Sequence, residues 1–167
     1  ELLAKLDAVS IDGGGDTPEA TLHALKTTFD GLAWKDGATK AAIVLTDAGF
    51  HQPDRVDGST VESVAKRSLE IDPVNVYPVV PSGVALQYHE LASKTTGQVI
   101  IDTGDTVAAL TQALSKIETR PTALLKNTEY SAEPGKEVTY DASDSYVVDA
   151  TITKYEWDIN GDGTFEY

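Results

Sequence analysis

Three short runs of near-continuous apolar residues constrain the fold of this chain more than anything else in it: AAIVLT (41–46), VNVYPVV (74–80) and QVII (98–101). A strand with one wet face alternates apolar and polar residues. These runs do not, so each is expected to be covered on both faces, as the strands of a parallel sheet are. The segments around them repeat apolar residues at three- and four-residue steps: Leu22, Leu25, Phe29 and Leu32, then Val61, Val64, Ala65 and Leu69, then Val107, Leu110, Leu114 and Ile117. That is the period of amphipathic helices, and Asp105 with Thr106 suits the cap of the last one. Helix, strand, helix, strand, helix, strand, helix predicts an α/β fold with a doubly wound parallel sheet.

The style changes at ETRPTA (118–123). Pro121 stops any helix before it, and the residues after it read as β. Val138 and Tyr140 alternate, as do Tyr155, Trp157 and Ile159, with EPGK and NGDG as turn signals. The expected organisation is an α/β part over 1–118, a linker at 119–121, and an all-β segment over 122–167 that is short for an independent core.

Composition narrows the function classes. The net charge is −14, from 13 basic and 27 acidic side chains. Nucleic acid is not an expected partner, because phosphate binding needs clustered Lys and Arg. An acidic surface suits solubility and cation binding. No run approaches the ~20 apolar residues of a membrane helix, so no membrane insertion is expected in this segment. With no Cys, thiolate metal sites, disulfides and cysteine nucleophiles are excluded. The chain opens on ELLAKLDAV without a methionine, which reads as an internal piece of a longer protein.

Ligands of open α/β sheets bind at the carboxyl ends of the strands. That rule selects Asp47, directly after the first strand in LTDAGFH, and the glycine loop ending at Asp16 in IDGGGDTPEATLHAL, whose helix leads into the same strand. Carboxylate and hydroxyl oxygens from separate loops on one sheet edge are what a hard divalent cation takes. Asp16 as N-cap with Glu19 at N3 is an alternative, a capping box with Pro18 in the first turn. His23, His51 and His89 invite an enzyme reading, but no G-x-S-x-G nucleophile motif accompanies them. No G-K-[ST] follows the glycines, so they are not a phosphate loop. The chain is expected not to be an enzyme.

GGGDTPEA followed by AAIVLTDAGFH resembles a von Willebrand factor A domain, in particular the variant found in integrin β subunits, where a D-x-P-E loop and a T-D-A-G-F-H strand end help build a metal-ion-dependent adhesion site. The resemblance implies Mg²⁺ or Ca²⁺ bound through Asp16, Thr17, Glu19 and Asp47, and a protein or other acidic ligand completing the coordination. No D-x-S-x-S motif precedes the GGGDTPEA loop, where the family's first, central strand carries it. The expectation is thus a Rossmann-like domain with its N-terminal half absent, its bare edge completed by the missing part or by another chain. EPGKEVTYDAS, ITKYEWD and GDG resemble the first part of a PKD domain, an immunoglobulin-like β-sandwich cut short after Tyr167. Within it, Asp158, Asn160, Asp162 and Gly163 fit the opening of a D-x-N-x-D-G calcium loop, with a plain β-turn as the alternative. The function implied is non-enzymatic, metal-dependent adhesion or ligand binding at the cell surface or in the secreted space. The rivals are a structural scaffold without metal and an accessory region of a secreted hydrolase.

Overall fold

The computed structural model describes residues 16–126, 130–147, 149–159 and 165. Among them, helices and strands alternate: α1 (Thr21–Gly31), β1 (Lys40–Leu45), α2 (Val61–Glu70), β2 (Val74–Pro81), α3 (Ser82–Lys94), β3 (Ile100–Asp102) and α4 (Thr106–Glu118). The strands form one parallel three-stranded sheet in the order β1-β2-β3, with Lys40 opposite Val74 and Val79 opposite Ile100. The α/β class expected from the apolar runs is the class observed, in a small form compatible with a Rossmann-like arrangement.

β2 is buried from Val74 through Val80. On one face Val74, Val76 and Val80 pack with Leu22, Leu25 and Phe29 of α1, Val61 and Val64 of α2, and Tyr88 and Leu91 of α3. On the other, Val79 and Ile100 pack with Ala109 and Ala113 of α4. Helices therefore cover both faces, which is why the run carries no polar alternation. β1 differs. Its outer edge pairs with nothing among the described residues, and Ile43 and Leu45 remain 36% and 55% exposed. A groove of ≈ 740 Å³ lies between that edge and α1, lined by Leu25, Thr28, Leu32, Trp34 and β1 itself.

The helix faces need one correction. α4 does not bury Val107 and Leu114, which are 75% and 51% exposed; Ala109 and Ala113 face the sheet, with Leu110 at the margin. Small residues let the helix approach the strands closely, and no element among the described residues covers the bulky residues on its flank. Leu32 and Leu69 are exposed as well, while Ser68 takes a buried place and donates to the Val74 carbonyl at 2.7 Å. The expected cap of α4 forms: the Asp105 carboxylate accepts from the Ala108 N–H at 3.0 Å.

Beyond α4 the immunoglobulin-like sandwich is not seen. Among the described residues there is one antiparallel bridge, Thr122 to Tyr146. Tyr140 stacks on Tyr130 and Trp157, at centroid distances of 4.8 and 5.9 Å. Alternating residues make a strand only with partners to pair against, and here Val138, Tyr155 and Ile159 stay exposed. No helix of the described residues is long and apolar enough to cross a membrane.

After α3, Gly97 lets its backbone approach β2: a Cβ there would sit 1.8 Å from the Val76 carbonyl oxygen. Gly97→Ala is therefore expected to cost about 1–3 kcal/mol by overpacking. Gly31→Ala, at a position with open space around it, is the control and should be neutral or stabilising; urea unfolding of both variants checks the contrast.

Candidate functional site

Two loops meet at the carboxyl end of β1. One carries Asp16 to Glu19 into α1, and the other carries Asp47 to His51 away from β1. The Glu19 N–H donates to the Gly49 carbonyl at 2.8 Å, and the His51 N–H donates to the Glu19 carbonyl at 3.3 Å. These bonds form a parallel bridge between Glu19 and Phe50, so backbone hydrogen bonds hold the D-x-P-E loop beside the strand end. Thr46 continues the ladder, its N–H reaching the Val79 carbonyl at 3.4 Å. Its hydroxyl accepts from the Ala48 N–H at 3.2 Å, a tight turn with Asp47 at its tip.

The floor of the site is α3. The Gln87 side-chain amide grips Phe50 at both ends, accepting from its N–H at 3.3 Å and donating to its carbonyl at 2.5 Å. A Cβ at Gly49 would fall 2.2 Å from the Gln87 carbonyl oxygen, so the glycine of the T-D-A-G-F-H run makes room for this grip. Tyr88 donates its hydroxyl to the Ala48 carbonyl at 2.8 Å, and burial pushes its phenol pKa upward, against smaller opposing effects of Thr21 and Thr46.

The side chains of Asp16, Thr17, Glu19 and Asp47 are all exposed at this edge. The structure thus brings the two expected loops together, yet among the described residues no three His, Asp or Glu side chains converge into a metal-holding group. Asp16 has nitrogen side chains as neighbours instead. His51 Nε2 lies 2.9 Å from its Oδ2, and the Arg55 guanidinium donates to the same oxygen. Asp158, of the expected calcium turn, is half-buried, whereas Asn160 and Asp162 lie outside the described residues, as does the Gly13–Gly15 run.

The capping-box alternative for Asp16 and Glu19 is overturned. α1 begins at Thr21, after an Ala20 cap that offers no side chain. Its free N-terminal donor on His23 is satisfied from another loop, by Asp54 Oδ2 at 3.1 Å. Asp54 is 3% exposed. Its Oδ1 accepts from the Val56 N–H at 2.9 Å, and its backbone bonds Ser59 and Gly58 at 2.7 and 2.9 Å. One buried carboxylate therefore orders the loop after β1 and caps the helix before it, a placement the α1 dipole favours.

Next to it, Asp57 is held down to about 2. The cause is first the Ser59 hydroxyl and then the Ser59 N–H at 2.9 Å, with a smaller part from His23. His23 Nδ1 lies 3.2 Å from Asp57 Oδ2. Asp54, Arg55, Gln87 and Tyr88 were not singled out from the sequence. The cluster of turn formers in HQPDRVDGS is the one signal that pointed toward the first two; nothing in the helical pattern of α3 distinguishes the others.

No protein-family model matches the chain, and no curated protein matches it either.

The roles of Asp54 and Asp57 can be measured separately. Asp54→Ala strands the His23 and Val56 donors and is expected to cost about 1–3 kcal/mol, measurable by chemical denaturation. Asp57 is charged more readily in the folded chain, so its stabilisation is full above the ordinary 3.8 and disappears as pH falls toward about 2. Thermal melts across that window should show a shallower fall for Asp57→Asn than for the parent.

Proposed function

We propose that this chain is part of a non-enzymatic binding protein of the cell surface or secreted space, in which the carboxyl end of β1 forms one side of a metal-ion-dependent adhesion site. The observation that carries the reading is the Glu19–Phe50 bridge, which holds the backbone of the D-x-P-E loop beside the loop that carries Asp47, at the edge where open α/β sheets bind ligands. Asp16, Thr17, Glu19 and Asp47 offer oxygen donors only, the chemistry that Mg²⁺ and Ca²⁺ prefer.

The described donors supply part of a coordination shell. The remainder would come from a strand laid along the free edge of β1, the position of the D-x-S-x-S strand in the resembled family. When bound, the ion supplies a Lewis-acidic position for an acidic group of a protein partner. The protein's own contribution is to hold the donors: Thr46 turns Asp47 outward, Gln87 and Tyr88 fix the loop from below, and Asp54 ties that loop to α1. The PKD-like segment would then orient the domain, with Asp158, Asn160 and Asp162 as a separate calcium turn.

A scaffold without metal is the second reading, favoured by the Arg55 guanidinium that already pairs with Asp16. Calorimetric titration with Mg²⁺ and with Ca²⁺ separates the two. The adhesion-site reading expects saturable heat that Asp47→Ala reduces at least about tenfold in affinity, as the loss of one carboxylate ligand implies. Heat indistinguishable from buffer, or binding indifferent to Asp47→Ala, leaves the scaffold reading standing and removes the other.

A further inference from the structure

We infer that Arg55 is the resident counter-ion of Asp16 and sets how readily a divalent cation reaches that carboxylate; the inference rests on the metal-binding reading above. Arg55 stands at the far side of the loop that leaves β1, and its Nη1 donates to Asp16 Oδ2. That oxygen also faces His51 Nε2 at 2.9 Å. One carboxylate oxygen therefore carries two cation-type neighbours, and both come from the loop that also carries Asp47. No other described carboxylate of the proposed donor set is bound in this way.

The two partners differ in what they can do. The His51 side chain is 16% exposed, and its backbone is tied to Glu19, so it stays with the loop. The Arg55 side chain is 69% exposed, and Asp16 is its partner among the described hydrogen bonds. Its release into water breaks no other described hydrogen bond or ion pair. A divalent ion approaching Asp16 meets a guanidinium on the oxygen it needs, and must displace it. Apparent affinity is then the intrinsic affinity reduced by the fraction of molecules in which Asp16 is released. Arg55 thereby acts as a latch: it keeps Asp16 in place and neutralised while no cation is present, and it raises the concentration at which one binds.

The test is a Mg²⁺ titration of the whole 167-residue chain beside its Arg55→Ala and Arg55→Lys forms, read by calorimetry and by the Arg55 side-chain Nε resonance. Arg55→Ala should bind Mg²⁺ about two- to fivefold more tightly, the range set by the modest strength of an exposed ion pair. Arg55→Lys keeps the charge and should stay near the parent, and the parent's Nε resonance should move toward its solvent value as Mg²⁺ is added. Equal affinity in all forms, with a stationary resonance, overturns the latch and leaves the metal reading intact. Heat in none of them overturns the metal reading, and the latch with it.

Discussion

The rest of the structure depends on one strand buried on both faces. β2 runs from Val74 to Val80 without an exposed side chain, and each helix contacts it or packs on a helix that does. Full burial of a valine-sized side chain contributes on the order of 1.5–3 kcal/mol, so Val74, Val76, Val79 and Val80 together outweigh any polar contact in the molecule. Parallel pairing on both sides of β2 fixes the register of β1 and β3, and register fixes where their carboxyl ends fall. The site at Asp47 is a consequence of that geometry. Its position follows from Leu45 pairing opposite Val79, and two residues later the chain has left the sheet.

Because the apolar signal is periodic and local, the elements themselves were legible in the sequence. Runs such as VNVYPVV and spacings such as Val61, Val64 and Ala65 report burial directly. Legibility failed where burial is decided by a neighbour rather than by the residue. In α4 the larger apolar residues predicted the wrong face, since the helix approaches β3 through Ala109 and Ala113 and no element among the described residues covers Leu114. In the segment after Pro121 the alternation of Tyr155, Trp157 and Ile159 reads as a strand, but pairing needs a second strand, and alternation cannot supply one.

The same division holds for the site. That the Asp16 and Asp47 loops share one sheet edge followed from strand order alone. What those carboxylates touch did not. The DTPE stretch has the pattern of a capping box, yet α1 starts after it and takes its cap from Asp54, far along the chain. A cap supplied across 31 residues leaves no spacing to recognise. Nor does the contact of Arg55 with Asp16, which depends on where two loops end rather than on any repeat. Acidic composition was informative only in sum: a chain at −14 must place most of its carboxylates in water, but which ones find partners is a matter of fold.

Two incomplete features lie side by side, and they have a common remedy. A parallel strand pairs most stably when both its edges are bonded and both its faces are covered. β1 lacks a neighbour on its outer edge among the described residues, and Ile43 and Leu45 lie open beside it. At its carboxyl end stand oxygen donors too few to close around a cation. A strand added along β1 in the parallel sense would bond the open edge and cover the groove toward α1. Its carboxyl end would also arrive beside Asp47, because parallel strands end on the same side of a sheet. Unpaired edges of this length invite association, so a segment that completed the sheet would, on the metal-binding reading proposed above, also be the one placed to add donors. On that geometry, a strand that bonds β1 antiparallel would repair the edge and leave the site open, which makes strand direction the feature that links folding to function here.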